Sequence, residues 1–227
     1  MTKIFQSQQW ANLNAHLNPI WVDGKLFFKT NGILYTKGDV NPNYVGIKGK
    51  FVIKMCNTEY PFFSKSNIEY IADLDNLNLS KWTRKIIRGT LRRGYEIKEN
   101  FDLDEAKEVY IKEFGFLPKN WGKMKTDSKN IGVYLNGRLL GFTNYINQDN
   151  ESYMLLHSID KDNIGEGNYL LMHALFESLK KQGIRFVSCG DAANPGIANF
   201  KKKFFNEIPC WDYTNDLLRQ IKWRLTK

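Results

Sequence analysis

Cysteine and histidine are scarce in this chain, with three of each among 227 residues. Cys56, Cys189 and Cys210 are scattered, match no metal-ligand spacing, and by their odd number argue against a disulfide framework. There is no Ser–His–Asp order, no GxSxG elbow, no Walker loop and no HExxH pair, so hydrolase and metalloenzyme chemistry has no motif to rest on. No apolar run approaches the roughly 18 residues that cross a bilayer, and MTKIFQSQQWANL lacks the apolar segment of a secretory signal. These absences predict a cytoplasmic protein that needs no metal and spans no membrane. Acids are also in deficit, 24 against 33 lysines and arginines, for a formal net charge of +9. That balance favours phosphate-bearing partners such as nucleotides, coenzyme A, tRNA or anionic lipid, and it also serves plain solubility.

What remains is ordinary globular material with a high aromatic fraction. SQQWANLNAHL predicts a short helix capped by Ser7. IWVDGKLFFKTNGILYTKG and YVGIKGKFVIKMC are rich in β-formers, and the pairs Asp23-Gly24 and Asn31-Gly32 predict a meander of about four strands. LSKWTRKIIRGTLRRG reads as a helix capped by Ser80 and stopped by Gly94. YEIKEN is a strand and DLDEAKEVYIKEFGF a helix, while LPKNWGKMKTDSKN has no periodicity and reads as a surface loop. From residue 131 the order is a hairpin turning at Asn136-Gly137, the strand ESYMLLHSID, a Gly-rich turn, a long helix ending at Gly183, the strand IRFVSCGDA and a short helix. A strand near Trp211 and a terminal helix complete the chain. A soft boundary near Glu99 to Leu103 divides it into 1–100 and 101–227.

Three stretches could carry chemistry. In IDKDNIGEGNYLL, the N–H groups of Gly165, Glu166, Gly167 and Asn168 could form an anion-binding nest at a helix N-terminus. The same residues also suit a plain turn capped by Asn168, and Glu166 would bring negative charge towards a phosphate. The helix from Lys81 to Arg93 has six cations and no acid. At roughly 100° per residue, Lys81, Arg84, Lys85, Arg88 and Arg92 form one stripe, with Trp82, Ile86, Ile87 and Thr90 opposite. That stripe suits a phosphate backbone or simply faces water. Gly89 in mid-helix costs roughly 1 kcal/mol relative to Ala.

The third stretch is ANPGIANFKKKFF. Rotation clusters Ile197, Phe200 and Phe204, sets Lys201 inside the apolar arc and turns Lys202 and Lys203 away. Lys201 either snorkels past the rings to water or holds its charge in a cleft, where it would stabilise a developing oxyanion. His157, near the end of the strand before the turn, is either a packed residue or a base that deprotonates an incoming amine. His173 and His16 look incidental.

The element order from residue 131 resembles the core of the Gcn5-related N-acetyltransferase (GNAT) superfamily. NYLLMHALFESLKKQGIRFVSCGDA (168–192) and PGIANFKKKFF (195–205) resemble its FemABX-like branch, as do QSQQWANLN and TRKIIRGTLRRG in a first, degenerate GNAT-like half. The resemblance implies an α+β fold with a mixed, mostly antiparallel sheet flanked by helices. Two central strands, ESYMLLHSID and IRFVSCGDA, would splay around an acyl donor. It implies an acyltransferase moving an acyl group from an acyl-CoA-type donor to an amine by direct attack, or else an aminoacyl-tRNA-dependent transferase. Phe200 and Lys201 would lie at the reaction centre with His157. Ile159, Asn163, Gly165, Glu166, Gly167, Asn168 and Asn194 would hold the donor. Asn163 stands where the acetyl-CoA pattern has Arg or Gln, so a long polar donor is missing. A chain of 227 residues is also short for two full GNAT halves with a helical-hairpin insertion. A third reading is a non-catalytic GNAT-like module that binds nucleic acid through the basic helix.

Overall fold

The computed structural model describes residues 4–30, 33–38, 40, 51–56 and 64–215. The expected Asn31-Gly32 turn, the YVGIKGK stretch and the terminal helix lie outside them.

Among the described residues eleven strands form one sheet. They are β1 (Pro19–Val22), β2 (Lys25–Thr30), β3 (Ile33–Lys37), β4 (Phe51–Cys56), β5 (Ser64–Asp73), β6 (Tyr95–Glu99), β7 (Lys129–Leu135), β8 (Arg138–Gln148), β9 (Glu151–Ile159), β10 (Phe186–Ser188) and β11 (Asn206–Thr214). Their order across the sheet is β1-β2-β3-β4-β11-β5-β10-β9-β8-β7-β6. Pairing is antiparallel except for β3 with β4 and β9 with β10. The mostly antiparallel mixed sheet expected from the sequence is present.

Tight turns set the hairpin registers. Asp23 and Gly24 have φ of 48° and 70°, and Asn136 and Gly137 have 53° and 76°, the left-handed pair that a two-residue hairpin turn requires. The four-strand meander does not form, because β4 returns parallel to β3 instead of antiparallel. The long strand β5 escaped the sequence reading altogether: Ile68 is exposed, Glu69 is buried and Tyr70, Ile71 and Ala72 follow as an unbroken apolar run, so no alternation marks it.

Among the described residues six α-helices flank the sheet: α1 (Gln8–Leu13), α2 (Lys81–Arg92), α3 (Lys107–Phe114), α4 (Trp121–Asp127), α5 (Gly167–Lys181) and α6 (Pro195–Lys201). Ser7 and Ser80 accept from main-chain N–H groups of the first turns of α1 and α2, as their positions predict. The stretch 117–130, read as a loop, contains α4. Its helix is short, and Trp121 and Met124 fix it by burying three residues apart, too brief a signal for periodicity to reveal.

Strands β7 and β8 are buried on both faces, which explains their continuous apolar run. Ile131 and Val133 pack beneath Leu171, Leu175 and Leu179 of α5, while Tyr134 and Phe142 face Tyr110 and Trp121. Each such side chain contributes about 1.5–3 kcal/mol on burial.

Gly89 of α2 has no atom within 4 Å of where a Cβ would stand. Gly89→Ala should therefore raise stability by about 0.5–1 kcal/mol. At Gly141 a Cβ would meet Ile164 Cδ1 at 2.7 Å and the Ser158 carbonyl at 3.2 Å. Gly141→Ala should cost about 1–3 kcal/mol. Urea midpoints of the two variants should move in opposite directions, and a shared direction would refute this account of the packing.

Candidate active site

Strands β9 and β10 run side by side from Phe186↔Glu151 to Ser188↔Tyr153. Beyond that point they part. Cys189 N donates to Tyr70 O at 3.0 Å, and Tyr70 N donates to Gly190 O at 3.0 Å, so the chain after β10 stays paired with β5 while it leaves β9. Gly190 has φ of 65°, and a Cβ there would stand 3.1 Å from the Tyr153 hydroxyl. Glycine takes this turn without strain, where a side chain would crowd the Tyr153 hydroxyl. Strand β9 continues to Ile159 paired with β8, leaving an opening on its other edge.

Helix α6 delivers two side chains to this opening. Asn194 Oδ1 accepts from Ile197 N at 3.0 Å and Pro195 occupies the first turn, so a seven-residue helix starts at a defined point. Lys201, at its end, donates from Nζ to Cys189 O at 2.7 Å and to Asp191 O at 2.5 Å. The ammonium stands 5.4 Å from the Tyr70 ring centre. A lysine has three N–H donors, so one remains for another acceptor.

The other two lysines of the run behave differently. Lys202 pairs with Glu207 at 3.1 Å. Lys203, expected to project freely into water, donates to the Tyr169 hydroxyl at 2.5 Å and lies 4.8 Å from the Trp82 ring centre. That contact also accounts for Trp82, which was expected on the buried side of α2 and is half exposed against Tyr169. Ile197 is likewise exposed, because α6 ends at Lys201 and only Phe204 and Phe205 turn into the core.

Phe200 stacks on His157, with ring centres 6.4 Å apart and planes within 23°. It also meets Tyr169 edge-on at 5.4 Å and Phe204, tilted, at 5.4 Å. His157 Nδ1 shares a 2.8 Å hydrogen bond with Thr143 Oγ1 from the paired position on β8. Burial lowers the His157 pKa to about 4; the Glu113 carboxylate and the Asn168 side chain push it up, and the Lys201 charge adds to the lowering. The imidazole is neutral at pH 7. Its Nε2 and Asn168 Oδ1 face one another, shielded from solvent, and neither has another hydrogen-bond partner among the described residues.

Cys189 also adjoins this group. Burial pushes its thiol up to about 12, outweighing the nearby Lys201 charge. A thiol so protonated is a poor nucleophile.

The Gly-rich turn before α5 is built from its own hydrogen bonds. Asn163 N and Ile164 N donate to Asp160 O, and Gly167 N donates to Ile164 O. The amides of Gly165, Glu166 and Asn168 keep no main-chain partner among the described residues. The Tyr95 ring packs against Gly167, where a Cβ would meet it at 2.7 Å, and its hydroxyl donates to Ile164 O. Asn163 Nδ2 donates to Asp160 Oδ2 at 2.8 Å, while the Glu166 carboxylate pairs with Arg93. Ile159 N donates to Glu113 Oε2 at 3.0 Å. Asn168 points inward to His157, and Asn194 caps α6. The donor-holding set is thus divided between the turn, the strand end and the opening.

Sequence reasoning missed Tyr70, Thr143 and Cys189 at this site. Tyr70 sits on the overlooked β5. Thr143 is recoverable from the hairpin register once its turn is placed, since it faces His157.

No protein-family model and no curated protein sequence matches the chain. Solved structures do match. The C-terminal (DUF2156) domain of a candidate lysylphosphatidylglycerol synthetase from Agrobacterium fabrum aligns at TM-score 0.71 and 12% identity, over 98% of this chain and 92% of its own. FemX aligns at TM-score 0.67 and 11% identity, over 98% and 94%. A GCN5-related N-acetyltransferase from Kribbella flavida aligns at 0.56 and 7%, over 93% and 94%. The chain shares its fold with these structures, the GCN5-related N-acetyltransferase and FemX among them.

The depressed His157 pKa sets a pH dependence. In the unfolded chain the imidazole takes up a proton near its ordinary pKa of about 6.5, so the contribution is fully present above that pH. It is lost as pH falls from there towards 4. Replacing His157 with Gln should flatten the stability–pH curve over that window, by up to roughly 3 kcal/mol. Urea midpoints between pH 4 and 7.5 provide the measurement, and identical slopes with and without His157 would contradict the assignment.

Proposed function

We propose that the chain transfers an acyl or aminoacyl group from an activated ester or thioester to an amine, at the opening where β9 and β10 part. The observation that carries this reading is the convergence there of Phe200, Lys201 and His157 from two separate elements. The substrate carbonyl would lie against Phe200 with its oxygen towards Lys201. The free Nζ–H would stabilise negative charge as the amine attacks, a role worth about 10²–10³ in turnover for a comparable donor.

His157 suits the other half of the reaction. In the tautomer whose Nδ1–H donates to Thr143, Nε2 presents a lone pair to the attacking amine, and Asn168 Oδ1 accepts from the same nitrogen. The C–N bond forms, the C–O or C–S bond of the donor breaks, and the amine proton passes through His157 to the departing oxygen or sulfur. The protonated Cys189 thiol favours this direct attack over a covalent acyl-enzyme.

The donor was expected to be an acyl-CoA. Asp160, Asp162 and Glu166 surround the Gly-rich turn with their carboxylates already paired to Lys112, Arg138 and Arg93, which ties up those cations, and Tyr95 fills the inner side of the turn. These features work against a pyrophosphate and favour the second reading, an aminoacyl ester of tRNA. Lys81, Lys85 and Arg92 of α2 remain exposed for an RNA backbone.

Lys201→Ala should reduce turnover about 10²–10³-fold with an unchanged melting temperature, whereas Lys202→Ala should leave turnover nearly intact. Assays with an acyl-CoA panel and with charged tRNA identify the donor. A fully active Lys201→Ala protein would remove the lysine from the mechanism, and no transfer from either donor would favour the non-catalytic module. Triple replacement of Lys81, Lys85 and Arg92 by Ala should weaken binding of charged tRNA and make it less salt-sensitive. Unchanged binding would dismiss α2 as the RNA contact.

A further inference from the structure

Helices α2 and α5 enclose a second cavity, of about 450 Å³. Its floor is apolar, formed by the buried side chains of Leu74, Leu79, Ile87 and Phe176. Its rim is cationic. Arg84 and Arg88 from α2 and Lys180 from α5 stand there against a single acid, Glu177. Neither arginine is in an ion pair among the described residues; Arg88 Nε only donates weakly to Arg84 O at 3.4 Å. In the wall, His173 Nδ1 is shielded from solvent and has no hydrogen-bond partner among the described residues. None of these residues belongs to the group around Lys201 and His157.

We propose that this cavity binds a single-chain anionic amphiphile, with its alkyl tail on the apolar floor and its carboxylate or phosphate between Arg84, Arg88 and Lys180. The volume lies within the range of small-molecule pockets, roughly 300–1,000 Å³. Each methylene taken from water to the floor contributes about 0.8 kcal/mol. Arginines without a carboxylate partner match the paired oxygens of a carboxylate or phosphate. A neutral lipid tail would leave the rim charges unused. A polyanion such as RNA would reach the rim but could not fill the floor, and the net charge of the rim repels cations. The unsatisfied His173 nitrogen adds a polar contact below the arginines.

The test uses the whole chain and isothermal titration with decanoate and decyl phosphate, both below their micelle concentrations. Inorganic phosphate supplies the head alone and decanol the tail alone. The two amphiphiles should bind with one site, and head or tail alone at least tenfold more weakly. Comparison of decanoate with decyl phosphate separates a fatty-acid occupant from a phosphate-headed one. The double variant Arg84→Ala/Arg88→Ala should lose at least tenfold in affinity while keeping its melting temperature, and Lys180→Glu should act in the same direction. Lys201→Ala should bind both amphiphiles like the parent, which separates this site from the proposed transfer chemistry. The proposal is overturned if decanol or inorganic phosphate binds as tightly as decyl phosphate, or if the arginine variant binds unchanged.

Discussion

The parting of β10 from β9 governs the chemistry of this molecule. Cys189 and Gly190 carry on the β5 pairing of β10 opposite Tyr70, while the parallel ladder to β9 ends at Ser188 and Tyr153. The opening that results exposes an edge of β9 in the middle of a sheet instead of at its margin. The carbonyls of Cys189 and Asp191, released from any β9 partner, become the acceptors that anchor Lys201. Without the divergence there would be neither a gap for a substrate nor a place to hold the ammonium.

Fixing a lysine in this way has an electrostatic consequence. The Lys201 charge lies close enough to His157 to favour its neutral form, adding to the effect of burial. The same charge works to lower the Cys189 pKa and loses to burial there. Desolvation thus outweighs the cation at the thiol and reinforces it at the imidazole, because the charged forms of the two groups have opposite sign. The cluster holds one positive charge and two neutral side chains, a suitable surface for an oxygen that becomes negative during reaction.

The second half of the sheet was largely readable from the sequence because its signals are local. Asn136-Gly137 fixes a turn, Gly183 stops a helix, and α5 repeats its apolar residues over four turns. Rotation set Lys201 apart from Lys202, since Phe200 and Phe204 mark the inner side, but it missed that Lys203 reaches Tyr169 and Trp82. Long-range pairing was not readable. Nothing local announces that β4 runs parallel to β3, or that β11 enters between β4 and β5. The failure at β5 follows from the same cause, as its value lies in the partners it gathers from distant parts of the chain. Tyr70 was lost with it. The groove between α2 and α5 went unseen because the spacing of Arg84 and Arg88 suits an open basic stripe equally well; only the position of α5 gives those arginines an apolar floor beneath them.

The placement of β11 carries a consequence for how the molecule assembles. Residues 206–214 bridge β4 on one side and β5 on the other, so until they arrive the sheet consists of two pieces with raw edges facing each other. Those edges carry unpaired main-chain groups that could equally recruit a neighbouring chain. Contacts so distant in sequence are slow to form. The interval between synthesis of β5 and arrival of β11 is therefore the period when the nascent protein most needs shielding from its own kind.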